Sequence, residues 1–395
     1  MRLPLLLSIA LLLSACASQP KPDISQSSPQ IGVQRFDVQR TETDWYQVYA
    51  WYPTCNTLDT QPLPYSEDWL NDVLAQQYGI PAFLMGGESP SDSWLNAPPA
   101  PGAYPVLIFN HGWGAFARSN MTQMQTLAEA GFVVLSLNHP GDSAIVQDAS
   151  GQLHRQSDDV LNTPEPTEED LAAIARQLTS IRDSQTPAAF RDAVAALEAR
   201  PDYQPLQDNF QRWVADTEHL LTLLDSSSEQ LPASLISHLD TTNIGLLGHS
   251  FGGAVSGVVT HRTEQHRPTI VMDVPQFTYG LELIHDTPTI RYLNGTDTRY
   301  GKTTVSGEGM NAGWIQNNPN ASERTFTGAA HMNFTDLNHV PPLKWAGLLG
   351  SVDGKVFWNE LNQDILTYYR QHLSTITEPD TLCARQNHTG TAELF

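Results

Sequence analysis

The chain has 395 residues, which is enough for one large α/β domain with a sizeable core. Lys and Arg number 21 against 43 Asp and Glu, a formal net charge of −22 at pH 7. This charge argues against a nucleic-acid partner and against electrostatic adhesion to anionic lipid. The sequence also lacks a zinc-type Cys/His cluster, a phosphate-binding loop and a dinucleotide fingerprint, so we expect neither a metal nor a cofactor.

The first residues have the features of an export signal. A positive charge at Arg2 precedes an almost wholly apolar run over residues 5–13, which is too short to cross a bilayer. The run ends in Leu-Ser-Ala-Cys at 13–16, which resembles the lipobox of bacterial lipoproteins. In those proteins the cysteine receives a diacylglyceryl group and the chain is cut before it. We therefore predict a signal peptide over residues 1–15 and lipidation of Cys16; the alternative is an ordinary secretory signal.

The residues that follow Cys16 indicate where such a lipoprotein would be held. Gram-negative lipoproteins that stay in the inner membrane usually have Asp directly after the cysteine, whereas this chain has Ala17. Residues 19–30 are rich in Ser, Pro and Gln without an apolar period, which is typical of a flexible linker. We predict a lipidated tether over 16–30 that attaches the protein to a membrane. The predicted location is the bacterial cell envelope, in the outer membrane, facing the periplasm or the exterior.

The two remaining cysteines, Cys55 and Cys383, form one possible pair. In an exported chain such a pair suggests a disulfide, here between an early strand and the C-terminal tail. The alternative is two free thiols, because a sequence does not reveal the distance between them.

The first part of the folded region is predicted to be rich in strands and loops. Apolar residues roughly alternate over 31–38, and 45–52 is aromatic and β-rich, so these runs predict an antiparallel pair of strands at one sheet edge. Residues 53–103 contain many prolines and glycines. They predict long loops with one short helix near 69–77.

The next segment has the pattern of a strand–helix–strand unit. Residues 104–109 and 132–137 are continuous apolar runs, and the helical stretch 121–130 between them ends at Gly131, a typical C-terminal cap. This order and spacing predict parallel strands. We therefore expect the α/β class, with a mostly parallel central sheet flanked by helices.

Residues 165–200 interrupt this alternation and predict a helical insertion. Thr167 and Asp170 have the spacing of a capping box, and two amphipathic stripes follow. The helical pair would either roof the active site as a lid or pack as a hairpin elsewhere on the body. A longer helix over 209–224 leads back to the central strand.

The most informative motif is Gly-His-Ser-Phe-Gly at 248–252. It follows an apolar strand at 244–247 and precedes a helical stretch at 254–259, which is the context of a nucleophile elbow. A sharp strand-to-helix turn of this kind holds a strained central serine, here Ser250, and requires glycine on both sides. The remaining predicted elements are strands at 269–272 and 289–293 and a helix at 358–372.

A serine nucleophile needs a base and an acid, which follow it in the chain in folds built on this elbow. His331 lies in a loop of small residues beyond the last predicted strand and is our candidate base. Asp273 directly follows the strand at 269–272 and is our candidate acid. Asp297, in the loop after the next strand, is the rival, but we favour Asp273 because a rigid strand end fixes its carboxylate.

Main-chain N–H groups are needed to stabilise the oxyanion of the tetrahedral intermediate. Phe251, next to the nucleophile, is expected to provide one. The glycine-containing loop Asn-His-Gly-Trp-Gly-Ala at 110–115 is expected to provide the other through Trp113. His111 in this loop is expected to shape the hole and not to act as the base.

With these residues identified, the chain resembles the secreted, calcium-independent platelet-activating factor acetylhydrolases, a branch of the α/β-hydrolase fold. The resemblance is carried by the segments 104–116, 248–254, 272–273 and 328–334. It implies the same five functional positions: nucleophile Ser250, acid Asp273, base His331, and oxyanion donors Trp113 and Phe251. Trp113 stands where the family commonly has Leu. The family removes short or oxidised acyl chains from phospholipids.

Together these features predict a serine-dependent carboxylic ester hydrolase, with an α/β-hydrolase domain over residues 31–395. The expected substrate is a small-molecule or lipid ester with a short acyl group. Phospholipid esters are among the candidates. Two alternatives remain open. One is a general carboxylesterase, or a polyester or dienelactone hydrolase, with the same catalytic groups; the other is an envelope lipoprotein that kept the fold and lost catalysis.

Overall fold

The computed structural model describes most of the chain from residue 30 onward. The predicted signal peptide, Cys16 and the tether up to residue 29 lie outside the described residues. The described residues are 30–78, 81, 89–157, 167–201, 203–263, 265, 267–277, 289–300, 303–305, 309–316, 318–340, 342–345, 347–373 and 383.

An eleven-stranded sheet forms the centre of the molecule. The neighbours run β12-β11-β10-β9-β5-β6-β2-β1-β4-β3, and β13 pairs with β11; β7 and β8 form a separate hairpin. The strands are β1 (Gln30–Gln39), β2 (Trp45–Thr54), β3 (Pro62–Ser66), β4 (Ser89–Leu95), β5 (Tyr104–Asn110), β6 (Val133–Asn138), β7 (Ile145–Gln147), β8 (Leu153–Arg155), β9 (Leu239–His249), β10 (Thr269–Met272), β11 (Ile290–Tyr300), β12 (Thr303–Val305) and β13 (Ala321–Ala330).

Helices flank this sheet, and two 3₁₀ helices, His331–Phe334 and Asp336–His339, follow β13. None of the helices in the described part of the chain is long and apolar enough to span a membrane. The α-helices are α1 (Asp68–Tyr78), α2 (Met121–Glu129), α3 (Glu168–Arg182), α4 (Pro187–Glu198), α5 (Gln204–Asp225), α6 (Ala233–Ile236), α7 (Phe251–Arg262), α8 (Ala312–Ile315), α9 (Pro342–Trp345) and α10 (Gly354–His372).

The side chains of the central strands alternate between two cores. In β5, Val106 and Ile108 join the core under α5 and α7, whereas Leu107 and Phe109 join the core under α2 and α10. Every residue of β5 is buried because helices cover both faces, as expected for a parallel sheet. The strands β6, β5, β9, β10 and β11 are parallel neighbours, as is the β13–β11 pair. The predicted mostly parallel sheet flanked by helices is therefore present.

The strand–helix–strand prediction is confirmed by β5, α2 and β6. Gly131 has a φ of 92°, a left-handed conformation that glycine adopts without a steric penalty at a helix C-terminus. The chain can therefore turn sharply from α2 into β6, which pairs with β5 in parallel.

The predicted antiparallel pair is also present as β1 and β2. Its predicted position at a sheet edge is wrong, because β4 pairs with β1 in parallel and β3 pairs with β4. Both extra strands lie in the segment predicted to be loops. Their prolines, at 62, 64 and 90, suit strands at or near a sheet edge, where fewer main-chain donors are needed.

The helical insertion consists of α3 and α4, and the predicted capping box of Thr167 and Asp170 is formed. The pair packs against α8: the rings of Phe190 and Trp314 are 5.4 Å apart. A Cβ atom at Gly313 would lie 2.4 Å from the Cβ of Phe190, so this contact depends on the glycine. The insertion is therefore joined to the main core by close apolar packing.

The predicted disulfide between Cys55 and Cys383 is present, with the two Cα atoms 5.4 Å apart. It closes a loop with a sequence separation of 328 residues. Cys383 is 2% exposed and belongs to the core that Cys55 also contacts. The bridge therefore joins the end of β2 to the C-terminal part of the chain.

Reduction of this disulfide is expected to lower the melting temperature of the purified protein. In the loop-entropy view a bridge over so long a loop stabilises by roughly 2–5 kcal/mol, since the unfolded chain gains freedom when it is cut. Thermal unfolding with and without reductant measures the effect. A Cys55→Ser/Cys383→Ser double variant is the control and should not respond to reductant. Free labelling of both thiols in the native, unreduced protein would contradict the bridge.

Candidate active site

The turn between β9 and α7 places Ser250 in an unusual backbone conformation, with φ 53° and ψ −129°. Non-glycine residues avoid this region, and the strain typically costs about 1–3 kcal/mol. A Cβ atom at Gly248 would lie 2.3 Å from the Gly252 carbonyl oxygen, and one at Gly252 would lie 2.2 Å from the His111 carbonyl oxygen. Both glycines are therefore required by contact with main chain. The turn has the geometry predicted for a nucleophile elbow.

The three predicted catalytic side chains form one hydrogen-bonded chain. The Oγ of Ser250 lies 2.9 Å from Nε2 of His331, and Nδ1 of His331 lies 2.7 Å from Oδ2 of Asp273. Because a carboxylate only accepts, Nδ1 carries the proton and Nε2 can accept from the serine hydroxyl. Asp273 is 1% exposed, and its other oxygen accepts from the Gly295 N–H at 2.8 Å. The aspartate thus holds the imidazole in the orientation that a general base needs.

The main chain fixes the acid as well as the nucleophile. Asp273 directly follows β10, has a φ of 56°, and donates its N–H to the Leu293 carbonyl at 2.8 Å. The rival carboxylate, Asp297, lies within β11 opposite Ala330. The hydrogen bond from His331 goes to Asp273. The arrangement thus favours Asp273 over Asp297.

His331 begins a 3₁₀ helix directly after β13, a strand that the sequence analysis did not identify. Asn333 secures the turn, because its Oδ1 accepts from the N–H groups of Ala330 and Gly350, both at 2.8 Å. This single amide oxygen joins the start of the histidine turn to the segment before α10. His331 therefore lies in a turn that these hydrogen bonds fix, and not in an unsupported loop.

His249 also contacts the site, and the sequence analysis gave it no role. Its Nε2–H donates to the His331 carbonyl at 3.2 Å, and the two rings are 4.6 Å apart. Burial, together with the nearby charge on His331 when it is protonated, holds the pKa of His249 far below its usual value. A neutral imidazole therefore supports the main chain of the base. The sequence signal that could have identified His249 is its position directly before Ser250.

The oxyanion loop is held by buried hydrogen bonds of His111. Its Nδ1–H donates to the Gly112 carbonyl at 2.7 Å, so Nε2 accepts from the Ser143 hydroxyl at 2.9 Å. Burial, and secondarily the proximity of His139, lowers the pKa of His111 to about 3. His111 is thus neutral and engaged away from Ser250. This supports its expected shaping role.

The side chains of the two predicted oxyanion donors contact each other. The rings of Trp113 and Phe251 are 5.0 Å apart, and Trp113 also stacks on Trp213 at 6.1 Å. Among the described loops and helix caps, neither N–H donates to a main-chain carbonyl. Phe251 is also the first residue of α7, where the helix dipole favours negative charge. Within these segments, both N–H groups are therefore left without a main-chain acceptor, as an oxyanion donor requires.

A cavity of about 110 Å³ opens beside Ser250. Its lining includes the triad base, the oxyanion loop, both 3₁₀ helices and α1, with Leu70, Leu74 and Phe116 among the apolar residues. Within the described part of the chain, no residue of α3 or α4 lines it. This supports the second alternative for the insertion, a hairpin packed elsewhere. Helix α1 occupies the position expected of the insertion.

This arrangement is suited to acyl transfer. It combines a strained serine, a histidine base oriented by a buried carboxylate, and candidate main-chain donors next to the nucleophile and in the loop after β5. Among the described residues, no group of three or more His, Cys, Asp or Glu side chains is placed to hold a metal ion.

Comparison with known proteins identifies a matching family model and similar sequences. Residues 51–387 match the family model described as platelet-activating factor acetylhydrolase, isoform II. The platelet-activating factor acetylhydrolase of Gallus gallus is 23% identical over 343 residues, 82% of this chain and 77% of that protein. That of Bos taurus is 26% identical over 282 residues, 68% of this chain and 57% of that protein. The match thus spans less than two thirds of the bovine relative.

Among solved structures, the ferulic acid esterase of Streptomyces cinnamoneus has a TM-score of 0.61 at 17% identity, over 92% of this chain and 97% of that chain. At this identity the likeness concerns the fold alone. It confirms the predicted α/β-hydrolase fold.

Substitution of the acid is expected to abolish most turnover. Asparagine at 273 would favour the wrong tautomer of His331 and should lower kcat for a chromogenic acetyl ester by up to roughly 10⁴-fold. Asp297→Asn is the matched control and should lose much less. The opposite ranking, in two variants shown by circular dichroism to be folded, would transfer the role of the acid to Asp297.

Proposed function

The chain belongs to the platelet-activating factor acetylhydrolase isoform II family and is a serine hydrolase of carboxylic esters, and we propose that it cleaves short acyl esters, including those of phospholipids, through an acyl-enzyme at Ser250. The observation that carries this proposal is the unbroken hydrogen-bonded chain from Ser250 through His331 to Asp273. No cofactor enters the proposed reaction.

The geometry defines each proton transfer. Nε2 of His331 takes the proton of Ser250 as its Oγ attacks the ester carbonyl, and Asp273 stabilises the imidazolium that forms. The oxyanion accepts hydrogen bonds from the N–H groups of Trp113 and Phe251. His331 then donates its proton to the departing alcohol, which leaves the acyl group on Ser250. A water molecule, deprotonated by the same nitrogen, releases the acid and restores the serine.

Two features support a short acyl group. The cavity beside Ser250 is small, at about 110 Å³, and the Trp113 indole lies where the family commonly has the smaller Leu. The relatives matched are named for the removal of acetyl groups from platelet-activating factor. We therefore extend the proposal to acetylated phospholipids. The hydrogen-bonded chain of Ser250, His331 and Asp273 argues against a catalytically inert lipoprotein.

The function is tested by two measurements on the full-length protein. A fluorophosphonate probe should label the wild type and not Ser250→Ala. A panel of esters graded by acyl length, with a phospholipid included, should then show faster turnover of acyl groups of about two to nine carbons than of long chains, since a misfit methylene costs roughly tenfold or more. Comparable turnover of acetyl and palmitoyl esters would contradict the proposed acyl preference. Absence of labelling would contradict the serine mechanism.

We also propose that the enzyme is an outer-membrane lipoprotein, anchored through Cys16. The proposal is supported by the apolar segment at 5–13, the lipobox-like residues before Cys16, and Ala17 after it. A disulfide between Cys55 and Cys383 agrees with an oxidising compartment outside the cytoplasm. Two or three acyl chains on one cysteine would anchor the protein firmly, whereas one chain binds only marginally.

Loss of the acylated thiol is expected to release the protein. In a Gram-negative host, Cys16→Ala should move the protein from the membrane fraction to a soluble or precursor form. Ala17→Asp is the matched control and should keep the anchor but redirect the protein to the inner membrane. A Cys16→Ala variant that stays in the outer-membrane fraction after a salt wash would contradict the anchor, because a chain of net charge −22 has no electrostatic reason to remain.

A further inference from the structure

Helix α1 forms one wall of the cavity beside Ser250. Leu70 and Leu74 line the cavity and are 2% and 7% exposed. Because they are four residues apart, they project from the same face of the helix. The apolar cluster to which they belong is separate from the two cores of the sheet and consists of Leu70, Val73, Leu74, Phe116 and Ile145.

A partly buried ion pair fixes α1 relative to the oxyanion loop. Arg118 follows that loop, and its guanidinium donates to the Glu67 carboxylate at 2.7 Å and to the Pro64 carbonyl at 2.9 Å. Glu67 directly precedes α1, and its own carbonyl accepts from the Asn71 N–H in the first turn. The Arg118 side chain is 5% exposed and that of Glu67 is 22% exposed, so the pair is partly buried. The start of α1 therefore has a fixed position beside the loop that contains Trp113.

The same cavity is lined by Gly112 and Trp113 of the oxyanion loop and by Ser250. During attack the ester carbonyl must lie between the Ser250 Oγ and the Trp113 N–H. The acyl chain extends from that carbonyl carbon, whereas the alcohol oxygen must face His331, which protonates it. Leu70 and Leu74 belong to the apolar lining of the space that remains for the acyl chain.

We propose that α1 sets the length of the acyl chain that the enzyme accepts, with Leu70 and Leu74 as the residues against which the chain ends. This inference rests on the proposed ester hydrolysis at Ser250. It assigns the selectivity for acyl-chain length to α1, a helix outside the loops that carry Ser250, Asp273 and His331. The Arg118–Glu67 pair acts on selectivity only by positioning that helix.

The test compares acyl lengths within one preparation of each variant. p-Nitrophenyl esters keep the alcohol constant while the acyl group grows from acetyl to decanoyl. Leu74→Ala removes most of the side chain at the end of the cavity and should raise the decanoyl-to-acetyl ratio of kcat/KM by roughly tenfold or more. Leu70→Phe shortens the cavity and should lower the hexanoyl-to-acetyl ratio. A ratio is insensitive to partial loss of folded enzyme because both substrates report on the same active fraction.

Val73→Ala is the matched control, since Val73 belongs to the same helix and cluster but does not line the cavity. It should leave both ratios at the wild-type values. A second series of acetyl esters with lengthening alcohols should be unaffected by Leu74→Ala.

Unchanged acyl ratios in Leu74→Ala, or a change confined to the alcohol series, would overturn the inference while the hydrolase function stands. An equal change in Val73→Ala would also overturn it, because the effect would then come from loosened packing. A wild-type protein that hydrolyses no ester in either series would overturn the proposed function itself and this inference with it.

Discussion

The active site depends on one steric constraint, the contact between main chains where α7 meets β9 and the loop after β5. At Gly248 and Gly252 there is no room for even one carbon atom beyond the backbone. This contact brings the nucleophile and the oxyanion loop together before any side chain contributes. The strain at Ser250 is sustained because its N–H is also bound to the Met272 carbonyl at 2.9 Å. The strand directly before the acid thus helps to hold the nucleophile.

Much of this arrangement was predictable because the signals are local. Strands β5, β9 and β10 each contain a continuous apolar run, and each is followed by a functional residue or loop. Parallel strands end at the same edge of a sheet, so order along the chain is enough to bring Asp273 beside Ser250. The elbow required only the spacing of two glycines around the serine.

Other elements of the structure could not be predicted from the sequence, because they are stabilised by contacts with residues distant in the chain. Strand β13 is mostly polar and partly exposed, and it is a strand because β11 pairs with it. The outer strands β3 and β4 lie in a segment whose prolines and glycines suggested loops, and they pair with an irregular register. The insertion has strong helical signals, but these cannot tell which surface it covers. The weaker helix α1 lines the cavity because Arg118, fifty residues away in the chain, fixes its start.

The disulfide has a consequence for the integrity of the polypeptide. Cys55 and Cys383 make a covalent ring of nearly the whole catalytic domain, with Ser250, Asp273 and His331 all inside it. A protease that cuts once within this ring opens it without releasing a fragment, because the two pieces stay joined through sulfur. Such a nicked molecule keeps all three catalytic residues in one covalent unit. Wherever proteases reach the protein, a single cleavage within the ring would then leave two chains held together by this disulfide.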